Sequence, residues 1–282
     1  MADGWDHIAF DIGDPDGWPD EREVLRAMTN SSTFGVVVST HANVAGHSHP
    51  DEVIDPSLVR NAVTLFDRIA PTYDKANRWL SLGIDRYWRR RLVAQLPKDA
   101  AVIVDLGTGT GDVLGILAIQ FPDGQCIGID PSEGMLALAE QKLSNFRNIT
   151  LQVGHSQSVL LESGSVDALT MAFAIRNVPD VAASLSEMIR ILKPGGVACI
   201  LEFSIPKSRV IRLFYLIYFR YVLPWLGGLI SGDRDAYRYL NVTVEGFPYG
   251  DKFTALMTDS GFRNTRIVPL TFGIASIYIG ER

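Results

Sequence analysis

Apolar positions change period several times along this chain, and each change marks an element. Residues 1–55 carry no sustained period apart from a short helical patch near Asp20–Met28 and one strand-like run, Phe34–Ser39. From Val59 the spacing becomes helical, with breaks expected at Pro71 and Gly83. Short apolar runs and helical stretches then take turns. AVIVDLGTG, QCIGID, ITLQVG, DALTMAF and VACILEF read as strands, while GDVLGILAIQF, SEGMLALAEQKL and VAASLSEMIRIL read as the helices between them. The last of those helices is expected to stop at Lys193-Pro194-Gly195-Gly196. An apolar helical insertion, a helix near Lys252–Asp259 and two strands, NTRIVPL and IASIYIG, complete the pattern. Strands alternating with helices predict an α/β, doubly wound, mostly parallel seven-stranded sheet with helices on both faces. The tight link between the last two strands predicts an antiparallel hairpin at the sheet edge, the last strand running against the others.

The sharpest chemical signal lies where the first of these strands ends, at Val104-Asp105-Leu106-Gly107-Thr108-Gly109-Thr110-Gly111-Asp112. Glycines at 107, 109 and 111 allow a tight turn close to a ligand at the carboxyl edge of the sheet. A dinucleotide fingerprint spaces its glycines differently, and an aspartate opening the helix opposes a pyrophosphate there. Asp105 is placed to pair with the ammonium group of an amino acid, which favours S-adenosylmethionine over NAD. Asp130 closes the next strand, where a carboxylate accepts both ribose hydroxyls. A plain glycine turn with two solvated or capping aspartates is the bland alternative.

Charge divides the chain. Residues 1–55 hold eleven acids against Arg22 and Arg26, so −9 of charge sits there and +3 of the total −6 is left for residues 56–282. That mildly basic body suits an anionic membrane surface or a quinone-like substrate and argues against nucleic acid. Cys126 and Cys199 fall in strand-like runs and read as core residues of a reducing compartment. The acidic first residues lack a following apolar run, so no secretory signal is expected. His41, His47 and His49 cluster without the helix spacing or partner cysteine of a metal site, so a loosely packed extension is the leading reading and no metal is expected. Residues 209–232 are apolar and aromatic, but Arg220, Pro224, Gly227 and Gly228 leave no run of the ~20 residues a spanning helix needs. They are expected to cap the substrate channel, to fill a buried insertion, or to rest on a membrane surface. The Arg86, Arg89, Arg90 and Arg91 cluster adds cationic attraction to such a surface, or else forms a solvated helix face.

In this order, Phe66–Arg90, VDLGTGTGD, Met171–Asp180, ILKPGG, Leu201–Pro206 and Asp235–Pro248 resemble the ubiquinone/menaquinone biosynthesis C-methyltransferase family. The resemblance covers residues 58–282. It implies a class I methyltransferase domain over 56–282, with 207–247 as a helical cap and 1–55 as an extension. The implied reaction is methyl transfer from S-adenosylmethionine to a ring carbon of a prenylated quinol, in the cytoplasm with peripheral membrane contact. A homodimer is one candidate assembly. The resemblance puts Tyr73, Asp105, Gly107, Thr110, Gly111, Asp130, His155, Ser156 and Ala172 around the cofactor. Arg176 and Asn177 follow the fourth strand beside the methyl, with Glu202, Tyr237 and Arg238 as secondary candidates for orienting the ring or relaying a proton. Guanidinium keeps its proton, so Arg176 fits a phenolate-stabilising cation rather than a base. Structural alternatives stand beside these roles: core packing for Tyr73, Tyr237 and Arg238, a surface pair with Asp180 for Arg176, and a satisfied carboxylate for Glu202. The sequence departs from the family at Gly154-His155-Ser156, where Asp or Asn followed by Ala and an acid is usual; His155 there reads as an adenine neighbour or a general base. Rival functions are a methyltransferase for another lipid or small molecule and a non-catalytic binding subunit.

Overall fold

A computed structural model describes residues 62–223, 240 and 243–282. The extension 1–55, its histidines, Tyr237 and Arg238 lie outside the described residues, as does much of the cap. Helix α1 spans Ala62–Leu80 and α2 Ile84–Val93. Strand β1 (Val102–Leu106) leads into α3 (Asp112–Gln120), β2 (Gln125–Asp130) into α4 (Glu133–Leu143), and β3 (Ile149–Val153) follows. Next come β4 (Val166–Ala172), α5 (Val181–Ile191), β5 (Leu192–Phe203) and α6 (Arg209–Ile217). Helix α7 (Asp251–Asp259) and strands β6 (Arg263–Leu270) and β7 (Ala275–Glu281) close the fold.

The seven strands run in the order β3-β2-β1-β4-β5-β7-β6. β1 through β5 pair in parallel, and β7 pairs antiparallel with both β5 and β6. The hairpin is present, with β6 rather than β7 at the edge. Alternation sorts the strand residues between two layers. Val104 and Leu106 join Leu169, Met171, Ile200 and Tyr278 in a core covered by Leu185 and Met188 of α5 and Phe253 and Met257 of α7. Ile103 and Asp105 face the other way, towards the layer of α2, α3 and α4. Both cysteines are buried and free. Among the described residues no helix is long and apolar enough to cross a membrane.

Two local expectations are corrected. Helix α1 continues through Pro71 to Leu80, and the break falls at Leu82 and Gly83, both with positive φ. Tertiary bonds on both sides of Pro71 hold the helix against the loss of one backbone hydrogen bond: Asp67 accepts from Ser132, and Asp74 accepts from Thr110 at 2.6 Å and Lys142 at 2.7 Å. Helix α5 ends at Ile191, ahead of Lys193–Gly196 as expected, but the strand read as VACILEF begins earlier, at Leu192, and takes in that run, its pairing with β4 shifting register between Val166 and Ala168. There Gly195 takes a φ of 80° and its N–H donates to the Arg282 carbonyl at 3.1 Å.

Candidate functional site

Because β1 to β5 are parallel, their carboxyl ends bring one residue set after another to the same edge. In sheet order the row reads His155 and Ser156 after β3, Asp130 at the end of β2, the glycine loop after β1, Arg176 and Asn177 in a 3-10 turn after β4, and Glu202 near the end of β5. Ala172 ends β4 within the row.

The glycines of the loop divide the work. All three hold positive φ, at 63°, 55° and 82°. A Cβ on Gly107 would sit 2.5 Å from the Ala174 methyl, and one on Gly111 would sit 2.5 Å from Leu143 of α4. Gly109 alone opens onto space, with nothing within 4 Å of a Cβ. Gly107 and Gly111 therefore permit close packing, and Gly109 permits close approach of a ligand.

Asp130 is buried, and its carboxylate accepts from the backbone N–H of Gly109 at 2.8 Å and of Ser132 at 2.9 Å. It thereby ties the glycine loop to the start of α4. Each oxygen keeps a further lone pair, so two hydroxyls can still be accepted. Burial raises the Asp130 carboxyl above its usual range, and the two N–H donors oppose that rise. His155 is exposed and sits in an isolated bridge to Ser158. It follows β3, three strand spacings from β4, or roughly 14 Å, so it stands at the far end from Arg176 and has no general-base geometry there.

Asp105 is held from within the fold. Its two oxygens accept from Thr170 and Thr108, each at 2.7 Å, and the side chain is almost fully enclosed. It braces β1, β4 and the loop from below. Burial pushes its carboxyl up to about 6 against the pull of the two hydroxyls. Between about pH 4 and pH 6 the folded state holds a proton the unfolded chain has released, so stability falls as pH rises through that window. Asp105→Asn is expected to remove this slope, a difference of up to about 3 kcal/mol. Urea midpoints of both proteins at pH 4.5 and 6.5 test it, and parallel pH profiles would refute it.

Thr110 also spends its hydroxyl within the protein. It donates to Asp74, and Lys142 reaches Thr110 at 3.3 Å, Asp74 at 2.7 Å and Asp112. This cluster latches α1 onto the glycine loop. Asp112 also lies 3.8 Å from Arg89, so two cations offset its charge. Its repulsion of a pyrophosphate is weakened, and glycine spacing carries that argument instead. Arg89 is buried and bound to Asp85 at 2.6 Å, Trp88 donates to Thr271 at 2.7 Å, and Arg91 stacks on Tyr87. The arginine cluster of α2 is thus mostly engaged internally, with only Arg86 exposed. The π-face of Phe173, held at a positive φ of 57°, lies 5.4 Å beneath the Arg89 guanidinium.

The reactive end is built around Arg176. It does not pair with Asp180, which caps α5 by accepting from Ala183 at 2.9 Å. Arg176 instead donates to Glu202 at 2.7 Å and to the Phe173 carbonyl at 2.8 Å. The pair is buried, the side chains being 6% and 0% exposed. Phe203 lies 5.4 Å beneath the guanidinium, and its N–H donates to Glu202 at 2.8 Å. Burial raises the Glu202 carboxyl, with Arg176 pulling it back. Among the described residues, Arg176 Nε and Glu202 Oε2 are buried without a side-chain hydrogen-bond partner, and so is the Tyr215 hydroxyl of α6. The charges of Arg176 and Glu202 act on that hydroxyl, whose pKa is raised mainly by burial. One donor, one acceptor and one hydroxyl are thereby left to meet a polar ring substituent. Tyr73 of α1 meets Phe66 edge-on at 5.9 Å, and burial raises its phenol although Arg89 and Arg176 pull it down.

Tyr215 was missed from sequence. The signal was a helical split, since Tyr215, Phe219 and Leu223 are buried at intervals of four while Val210, Leu213, Phe214, Ile217 and Tyr221 are exposed.

A model described as the ubiE/COQ5 methyltransferase family matches residues 58–282. A ubiquinone/menaquinone biosynthesis C-methyltransferase of Geobacter sulfurreducens is 45% identical over 223 residues, 77% of this chain and 87% of that protein. A demethylmenaquinone methyltransferase of Thermus thermophilus is 42% identical over 221 residues, 77% of this chain and all of the relative. Among solved structures, an S-adenosylmethionine-dependent methyltransferase from Thermotoga maritima superposes with a TM-score of 0.57 at 19% identity, over 77% of this chain and 98% of the other. Phosphoethanolamine N-methyltransferase 2 of Haemonchus contortus, solved with S-adenosyl-L-methionine, gives 0.56 at 14% identity, over 83% and 61%. At these identities the structural likeness speaks for the fold alone. The match over residues 58–282 carries more: the chain belongs to the ubiE/COQ5 methyltransferase family.

Proposed function

We propose that the protein transfers a methyl group from S-adenosylmethionine to a ring carbon of a prenylated quinol, demethylmenaquinol or a ubiquinol precursor, in quinone biosynthesis. The observation that carries this reading is the buried Arg176–Glu202 pair with its open donor and acceptor, set at the edge of a methyltransferase sheet. Family membership and the names of the relatives support the same reaction.

S-adenosylmethionine fits the residues present, and when bound it supplies an electrophilic methyl on a cationic sulfonium. The open space at Gly109 admits it against the loop backbone. Asp130 takes the ribose hydroxyls with the lone pairs its backbone bonds leave over. His155 and Ser156 flank the adenine, Ala172 and the loop the middle, and Tyr73 closes from α1. Asp105, Gly107, Thr110 and Gly111 hold the loop in shape.

The ring carbon attacks an electrophilic methyl only when the ring is electron-rich, so the substrate is the reduced quinol, and loss of that carbon's proton then restores the aromatic ring. Arg176 holds the ring oxygen as its negative charge develops, in a place from which water is excluded. Glu202 keeps that guanidinium oriented and offers Oε2 to the hydroxyl proton. Asn177 orients the ring from the same turn, and Tyr237 and Arg238 are further candidates on the cap. The protein works in the cytoplasm at the inner face of the membrane, where a prenylated substrate resides. Pairing as a homodimer is compatible with the chemistry.

Transfer of label from S-adenosylmethionine to reduced demethylmenaquinol or to demethoxy-demethylubiquinol tests the reading. Product from either, at least a hundredfold weaker with Arg176→Ala, is the expected result. Cofactor binding with no product from either quinol would overturn the substrate, and absence of cofactor binding would overturn the reaction.

A further inference from the structure

We propose that the outward face of α6 docks the protein on an anionic lipid bilayer. The proposal rests on the membrane-quinol reading for its purpose and on α6 itself for its observations. The helix and the π turn that continues it, Tyr218–Val222, have two faces. Tyr215, Phe219 and Leu223 pack inward with Leu80 and Val244. Val210, Leu213, Phe214, Ile217 and Tyr221 recur at intervals of three and four on the other side, between 47% and 72% exposed. Single exposed apolar residues are ordinary, but five forming one stripe mark a contact surface.

Charge selects the occupant. From Lys207 to Val222 the chain carries Lys207, Arg209, Arg212 and Arg220 and no acidic residue. Arg220 is held by Glu245 at 2.6 and 2.8 Å. Lys207, Arg209 and Arg212 are exposed and crowd the first turns of α6. Cations there stand against the positive end of the helix dipole, opposite to the arrangement a solvated helix favours. The Ser208 side chain makes no capping bond, so the helix start lacks a side-chain acceptor of its own there. Lipid phosphates supply the missing negative charge while the stripe enters the acyl boundary, as in a helix lying in the interface plane. Trp79 and Leu82, also exposed, flank Leu80, whose carbonyl accepts from Tyr218 at 2.7 Å. Apolar surface at the end of α1 therefore adjoins the same region.

The arrangement joins docking to the site. Residue 214 points to lipid and residue 215 to the Arg176–Glu202 pair, so one helix diameter, about 10 Å, separates the acyl boundary from that pair. A quinol can present its ring there while its tail stays in hydrocarbon.

Flotation with vesicles of phosphatidylcholine alone and of phosphatidylcholine with phosphatidylglycerol tests the proposal at low and high salt. The full-length protein is expected to float with the anionic vesicles at low salt. Arg209→Gln with Arg212→Gln is expected to weaken binding roughly tenfold or more, and Leu213→Ser with Phe214→Ser to abolish it. Methylation of a tail-less quinol in solution should remain unchanged in both variants, which verifies their folding. Absence of binding to anionic vesicles, or binding that neither pair of substitutions alters, would overturn the proposal. So would a wild-type dimer that Leu213→Ser with Phe214→Ser splits without any vesicle binding, since the stripe would then cover a second copy. If no quinol is methylated by the wild type, the functional reading falls while the flotation result still decides the docking.

Discussion

Arg176→Ala is expected to slow methyl transfer at least a hundredfold and to destabilise the protein by about 3–5 kcal/mol, the typical effect of removing one partner from a buried ion pair. The stability loss follows from Glu202, fully enclosed and left with backbone donors alone, the N–H groups of Phe203 and of residue 176. Its carboxyl, already raised by burial, would rise further once the guanidinium is gone, so Arg176→Ala should regain stability as pH falls and Glu202 takes up a proton. Activity and stability can be separated. Arg176→Met with Glu202→Leu replaces both charges by apolar groups of similar size, and such exchanges are often neutral or stabilising. The double variant is expected to unfold near the wild-type midpoint yet remain at least a hundredfold less active, the usual scale for losing a preorganised charge at a developing anion. Denaturation midpoints beside the labelled-methyl assay give the answer. If the double variant methylates at the wild-type rate, the pair is structural only.

Gly107→Ala is expected to damage the loop and the reactive turn together. The new Cβ would stand 2.5 Å from the Ala174 methyl, which is fixed to the backbone and has no rotamer to escape through. Overpacking of this kind costs about 1–3 kcal/mol, and a φ of 63° adds about 1–2 kcal/mol for any residue with a Cβ. Ala174 precedes the turn that carries Arg176, so relief of the clash would displace the guanidinium. Lower stability, weaker S-adenosylmethionine binding and slower transfer should appear together. Ala174→Gly in the same molecule removes the opposing methyl and should recover the overpacking share while leaving the backbone strain. If Ala174→Gly gives no recovery, the close contact is not what limits position 107. Calorimetric titration with S-adenosylmethionine and thermal unfolding of the single and double variants separate the two costs.

Much of the sheet was legible in the sequence because strands such as β1, β2 and β4 are short apolar runs beside helical periods. The ends were less so. Pro71 reads locally as a break, yet bonds made by Asp67 and Asp74 to residues 132, 110 and 142 hold α1 together across it. The Lys193–Gly196 run stops α5 as it reads, but the register shift beside β4 also draws it into the following strand. At the site, the glycine loop and Asp130 announced themselves by position. The partners of the charged groups did not: Glu202 lies 26 residues from Arg176, and only the parallel pairing of β4 with β5 brings them together. The bonds of Asp105 are equally hidden, since a sequence does not reveal that Thr170, 65 residues later, occupies one oxygen. Tyr215 was hidden among aromatics on a helix whose two faces must be separated before its buried hydroxyl stands out.

The position of β7 has a consequence for how the chain acquires its shape. Although last in sequence among the seven strands, it lies between β5 and β6 and pairs along its length with both. Synthesis therefore delivers β6 before anything exists for it to bond, and the flank of β5 stays open until residues 275–281 arrive. Those residues bring Tyr278, whose ring meets Phe253 at 4.8 Å and whose hydroxyl accepts from the Gly250 N–H at 2.7 Å. On the ribosome, the α/β half that holds the cofactor loop can assemble early, whereas the wall behind Glu202 closes only after translation of β7. A nascent chain arrested before residue 275 would bear an unpaired, apolar strand flank of the kind molecular chaperones recognise.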